Sequence, residues 1–236
     1  MNLVFEFTKT GNLIYISHLD LSRLFLRVLR MEGLRPAYSH GFNPHPKMSL
    51  ALPLPLGVHS VCELLEFETG EPGSIQKAAE AVERVNGRLP AGARVTKWWE
   101  KPEELSKSLA SYVTASGYEF MCEGIKSAPF LLEAFFQRKD IVVKKRDKKT
   151  GEESEKEIRS DMIGYNVIKD MRGRMLAEVT LSALPGRTLN PFVFFGAFCE
   201  ASGLSKDELS PVITRTKIYD KKGQPLPETI DSYEVF

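Results

Sequence analysis

The residues with chemistry to offer are crowded into the first sixty positions. All four histidines, His18, His40, His45 and His59, lie there. So do six lysines and arginines against three acids, although the whole chain of 236 residues has a net charge of only +1. Two clusters stand out. The first is Ser17-His18-Leu19-Asp20 followed by Arg23, Arg27 and Arg30. Steps of four and three put the three guanidinium groups on one face of a helix. Their planar forks suit bidentate contacts with phosphate oxygens, and the N–H groups of a helix start form a second anion-binding feature. His18 stands in that first turn, where imidazole can contact a phosphate or act as a general acid or base. The same pattern also describes an ordinary solvated helix face.

The second cluster is Tyr38-Ser39-His40-Gly41-Phe42-Asn43-Pro44-His45-Pro46-Lys47. Tyr38 and Phe42 offer stacking faces, Asn43 a hydrogen-bonding edge and Lys47 a cation. Those are the materials for holding an unpaired base. The bland alternative is a stiff connection with Phe42 plugged into the core. No HExxH or carboxylate-rich motif accompanies the histidines, so no metal is expected. There is no GxxxxGK[ST] loop, no GxGxxG and no GxSxG elbow, and no cofactor is expected. Cys62, Cys122 and Cys199 are separated by sixty positions or more, too far apart in sequence for a clustered iron–sulfur motif. They read as buried thiols in a reducing compartment.

These clusters need elements to position them. Leu3, Phe5 and Phe7 alternate with polar residues, which predicts a half-buried strand. Leu13 to Ile16 reads as extended chain. Ser17 is a good N-cap, with Asp20 three positions on, and Leu21, Leu24, Phe25, Val28 and Leu29 form the apolar stripe of a helix that Gly33 ends. Arg35 to Ser39, Met48 to Leu52 and Cys62 to Glu68 read as strands, 74–86 as a helix and Arg94 to Trp99 as a strand. The order then repeats after a linker at 101–107. Strands are expected at 111–122, 141–146, within 157–168, at 174–181 and at 212–219, with helices at 128–137 and 191–202. Asn190 and Pro191 fit N-cap and N1 of the last helix. The charged segment 144–159 reads as a solvated hairpin with its tip at Thr150-Gly151. Arg187 is a weaker candidate for an anion contact. The fold class expected is α+β, two tandem ferredoxin-like (βαββαβ) halves with antiparallel sheets, at 1–100 and 108–236. The apolar fraction of 42% is that of a globular protein. No apolar run is long enough to span a bilayer, and the N-terminus enters a strand without a leader pattern, so a cytoplasmic protein is expected.

Three segments together resemble a known family. They are Tyr15-Ile16-Ser17-His18-Leu19-Asp20-Leu21, Arg35-Pro36-Ala37-Tyr38-Ser39-His40-Gly41-Phe42-Asn43-Pro44-His45-Pro46, and Leu52-Pro53-Leu54-Pro55-Leu56-Gly57. They resemble the radical-SAM-linked protein family, a bacterial domain of unknown function found alone or as an extension of a radical SAM protein. The likeness is specific over residues 1 to 70, and departs at His40 and His45, where the family often has Gln and Arg. It implies a radical SAM partner, and a frequent genetic neighbourhood of ribosomal and ribonuclease genes points toward RNA.

The reading that joins both lines is an accessory protein, not itself catalytic, that binds tRNA or rRNA or presents substrate to a radical SAM enzyme. Its expected contacts are His18, Asp20, Arg23, Arg27, Arg30, Tyr38, Phe42, Asn43 and Lys47. One alternative is a metal-independent endoribonuclease using His18, with Lys47 or Arg23 stabilising the phosphorane. Another is a module that only docks proteins.

Overall fold

The computed structural model describes residues 1–69, 75–103, 105–123, 128–146, 151–169, 175–226 and 233–234. In chain order the elements are β1 (Asn2–Lys9), α1 (His18–Met31), β2 (Met48–Leu50), β3 (His59–Glu68), α2 (Ile75–Arg88), β4 (Ala93–Glu100), β5 (Ala115–Cys122), α3 (Ala128–Phe136), β6 (Val142–Arg146), β7 (Glu153–Glu157), β8 (Met162–Lys169), β9 (Met175–Ser182), α4 (Pro191–Ser202), α5 (Lys206–Leu209), β10 (Val212–Tyr219), β11 (Pro225–Leu226) and β12 (Tyr233–Glu234). The chain is thus a mixed α+β protein with antiparallel ladders. It divides into two compact units, Met1–Val113 with Lys217–Phe236, and Thr114–Thr216. The last twenty residues therefore belong with the first unit, although they follow the second in sequence. No described helix is long and apolar enough to cross a membrane.

In the first unit the strands lie in the order β4-β1-β3, with β2 on the far side of β3 and β12 beside β4. β1 is antiparallel to both β3 and β4, and β2 is antiparallel to β3. The alternation at Leu3, Phe5 and Phe7 has a direct result: all three are buried in one core with Leu21, Phe25, Val28 and Leu29 of α1 and Val82 and Val85 of α2. Both helices thus cover one face of the sheet, the usual solution for a sheet with one apolar side. Ser17 caps α1 as expected. Its Oγ accepts from the Asp20 backbone N–H at 3.1 Å and donates to the Asp20 carboxylate at 2.7 Å.

In the second unit the order is β10-β5-β9-β8, and β9 is antiparallel to both β5 and β8. Phe120 of β5 meets Phe194 of α4 at 5.3 Å between ring centres, and Phe135 of α3 meets Phe194 and Phe198. Asn190 caps α4, accepting from the Phe192 N–H at 2.8 Å, with Pro191 in the first turn. β6 and β7 form the separate two-stranded hairpin expected from the charge pattern. Thr150 of its tip and Ser74, expected to open the second helix, lie outside the described residues.

Two local expectations need correction. Leu13 to Ile16 is not extended: Gly11–Tyr15 is a 3-10 helix, closed by the Ile16 N–H on the Leu13 carbonyl at 3.1 Å. Arg35 to Ser39 is not a strand. Only two isolated bridges form, Pro36 to Thr69 and Tyr38 to Pro46. Proline has no N–H to extend a ladder, and three of the twelve residues 36–47 are proline.

Candidate functional site

The basic cluster of α1 faces solvent. Leu21, Phe25, Val28 and Leu29 are buried, while Arg23, Arg27 and Arg30 are exposed. Arg23 leans on Asp20 at 3.3 Å, a surface pair worth little in water. Asp20 thereby serves both the helix start and an arginine. Arg30 lies over the Tyr38 ring, 5.6 Å from its centre. That cation–π contact joins the end of α1 to the next segment.

That segment, residues 36–47, is an arm closed on itself. The Lys47 N–H donates to the Ala37 carbonyl at 2.7 Å, the Ser39 N–H to the His45 carbonyl at 2.8 Å, and the His45 N–H to Ser39 Oγ at 2.9 Å. The Ala37 N–H anchors the base to the Glu68 carbonyl at 2.6 Å. At the tip Gly41 has φ +127°, a value side-chain-bearing residues avoid. Phe42 follows it and is 111% exposed. The core-plug reading of Phe42 is therefore wrong: among the described residues nothing covers its ring. His40, Asn43 and His45 are exposed beside it.

A site joining His18 to Lys47 needs the start of α1 to face the arm. The structure puts them at opposite ends of the sheet. Lys9, the last residue of β1, donates its Nζ to the Ile16 carbonyl at 3.0 Å, just before His18. Lys47 instead pairs with Glu68, which lies opposite Asn2 at the first residue of β1. A helix that returns along its strand must separate its start from the loop that follows it. His18 and Arg30 are twelve positions apart, or about 18 Å along the axis. Tyr38 and Arg30 come together; His18 and Lys47 do not. Lys47 is also not an unpaired cation, since its Nζ is 2.7 Å from the Glu68 carboxylate. Arg187, the candidate in the second unit, is taken by buried Asp161 at 2.9 Å.

A polar cleft of about 340 Å³ lies at the base of the arm. Strand register builds it. Asn2 is opposite Glu68, the Glu68 N–H donates to the Lys47 carbonyl, and the Lys101 N–H donates to the Asn2 carbonyl. Lys47, Glu68, Asn2 and Lys101 thus form one row across the sheet, on the face away from α1 and α2. Behind them Ser49 is opposite Glu66. The Glu66 carboxylate accepts from Lys101 Nζ at 2.7 Å, Ser49 Oγ at 2.8 Å, the Leu109 N–H at 3.0 Å, and Ser108 Oγ. Burial is the largest single influence on this carboxyl and would raise its pKa. The hydrogen bonds from Lys101, Ser108 and Ser49 together outweigh it and hold the group below its ordinary range. Asn2, Ser49, Glu66, Glu68 and Lys101 carried no motif. Their one sequence signal is the i, i+2 placing of Glu66 and Glu68 in a strand, which puts both carboxylates on one face.

Among the described residues no three His, Cys, Asp or Glu side chains are grouped to hold a metal. The three cysteines are buried thiols, and burial, aided by the neighbouring Cys199, pushes Cys122 up to about 12.

The sequence profile of the family described as "Uncharacterized protein conserved in bacteria (DUF2344)" matches residues 2–191. No curated protein matches the chain. Among solved structures, one described as "Crystal Structure of a Cbf5-Nop10-Gar1 Complex" is similar at a TM-score of 0.49 and 9% identity, over 92% of this chain and 48% of that one. The chain spans about half the length of that counterpart, and a likeness at this score carries no argument.

Proposed function

The chain belongs to the DUF2344 family of uncharacterised bacterial proteins, and we propose that it is a non-catalytic accessory protein that binds unpaired RNA through α1 and the arm. The observation that carries this reading is Phe42, a bare aromatic ring at the tip of an arm pinned by its own hydrogen bonds. A ring held in water at no evident benefit to the fold suits stacking on a base. Arg30 lies over the arm's Tyr38, Arg27 is exposed three positions before it on α1, and the two supply guanidinium groups for the adjoining phosphates. The resemblance to the radical-SAM-linked family supports a radical SAM enzyme as the partner that does the chemistry, in the cytoplasm. The first unit has the order β-α-β-β-α-β with the first strand between the fourth and third, and the second has it once the separate β6–β7 hairpin and the short α5 are set aside, which supports reading them as tandem ferredoxin-like halves.

The ribonuclease reading loses its geometry. Lys47 lies at the far end of the sheet from His18, so it cannot stabilise a phosphorane formed there. Two variants test the RNA reading. Phe42→Ala is expected to weaken binding of mixed-sequence single-stranded RNA about tenfold, with the thermal midpoint unchanged because the ring touches no core. Arg23→Glu with Arg27→Glu is expected to weaken all sequences alike and to flatten the salt dependence by roughly two phosphate contacts. Binding indifferent to salt, or none, would sink the proposal. Co-purification with a radical SAM protein but with no nucleic acid would favour a docking module.

A further inference from the structure

We propose that the cleft at the base of the arm is a pocket for one unpaired guanine base. This rests on the RNA reading above and names what the same surface would select. The cleft is lined by two cations, Lys47 and Lys101, and two carboxylates, Glu66 and Glu68. Their charges cancel. A phosphate would meet both carboxylates and a cation both ammonium groups, so the electrostatics favour a neutral, hydrogen-bonding ligand. At about 340 Å³ the space is at the small end of ligand pockets, suited to a single planar group. Pro46 adds apolar wall on the side of the arm.

The pattern of donors and acceptors narrows the choice. Glu66 is occupied, with four donors on its two oxygens. Lys101 Nζ spends a second donor on the Lys107 carbonyl at 2.6 Å. Both stiffen the back wall. Glu68 and Lys47, by contrast, spend one bond on each other, leaving Lys47 two N–H donors and Glu68 a whole second oxygen among the described contacts. The cleft rim therefore offers an ammonium donor next to a two-oxygen acceptor. Guanine presents the complement on its pairing edge, the O6 acceptor beside the N1–H and N2–H donors. Adenine, cytosine and uracil each lack two neighbouring N–H donors for one carboxylate. The Asn2 amide stands beside Glu68 in the same row and is positioned for the base's remaining edge.

The test uses the full chain and two kinds of probe. Nine-nucleotide single strands of uridine, with the central base varied, report the pocket within RNA. Free guanosine, adenosine, cytidine and uridine report it without RNA. The expected result is about tenfold tighter binding of the guanine-centred strand than of the all-uridine one, and saturable binding of guanosine alone among the nucleosides. Glu68→Gln, which replaces one acceptor oxygen by a donor, is expected to abolish both preferences, with the thermal midpoint as it was. Equal binding of all four strands together with no guanosine selectivity overturns the pocket while the RNA reading survives. Guanosine binding that depends on Glu68, without affinity for any strand, keeps the pocket and overturns the RNA reading. Neither kind of binding overturns both.

Discussion

Glu66→Ala is expected to destabilise the first unit by about 3 kcal/mol, because it strips a buried charged group of its partner. The Glu66 and Lys101 side chains are only 12% and 10% exposed, with 2.7 Å between Oε2 and Nζ. Alanine leaves the Lys101 ammonium, Ser49, Ser108 and the Leu109 N–H facing a void. The cost is then that of unpaired donors, not merely of one lost hydrogen bond. Both tryptophans, Trp98 and Trp99, lie in the first unit, so their fluorescence during denaturation of the full chain reads this unit alone. Adding Lys101→Met to Glu66→Ala is expected to recover part of the loss, since the stranded charge is gone; a double mutant no better than the single would show that the pair does not couple. The same network predicts an acid limb. In the folded protein the Glu66 carboxyl sits below its ordinary value of 4.5. Between the folded and unfolded values the unfolded chain binds more protons. The stabilisation is therefore complete above about pH 4.5 and is lost as the pH falls through the lower, folded value. Glu66→Gln removes that titration, so its stability is expected to vary less with pH in this window than that of the parent.

Gly92→Ala is expected to cost about 3 kcal/mol in the same measurement, for a steric reason. Gly92 has φ +96°, and a Cβ placed on it would stand 2.3 Å from the Thr10 carbonyl oxygen and 3.0 Å from its carbon. These are backbone atoms, so no rotamer can relieve the clash. The neighbouring contacts cannot slide either: the Thr10 N–H donates to the Gly92 carbonyl at 2.8 Å, and Thr10 Oγ1 donates to it at 3.2 Å. Those bonds tie the end of β1 to the turn before β4. Gly33, which follows α1, separates the two parts of the effect. Its φ is +82°, yet a Cβ there meets nothing within 4 Å. Gly33→Ala is therefore expected to cost only about 1 kcal/mol, the conformational share alone. Equal losses at the two glycines would mean that the close approach at Thr10 is not what matters.

Much of the scaffold was legible because it rests on local rules. The stripe at Leu21, Phe25, Val28 and Leu29 and the cap at Ser17 mark α1, and Asn190 with Pro191 marks α4 at its observed start. What escaped were places where local rules compete. Residues 35–39 have a strand-like pattern, but the prolines at 36, 44 and 46 deny the ladder its donors and leave an arm. Leu13 to Ile16 looks extended by composition, yet the tight link to Thr10 and Gly92 winds it into a 3-10 turn.

The amino-acid sequence by itself determined which residues would stand in water with chemistry to offer. Arg23, Arg27 and Arg30 are exposed because helical period places them opposite a buried stripe, and that period is written in the chain. Only the tertiary structure decided which of them share a place. A helix returning along β1 carries His18 to one end of the sheet and Arg30 to the other, where Tyr38 and the arm begin. Lys47, read as a cation, acquired Glu68 as a partner because the start of β2 came into register with β3. The row Lys47, Glu68, Asn2 and Lys101 draws on four separate segments of the chain. Its members become neighbours through hydrogen bonds between strands, which link residues by spatial register and leave almost no trace in the local pattern of any one segment.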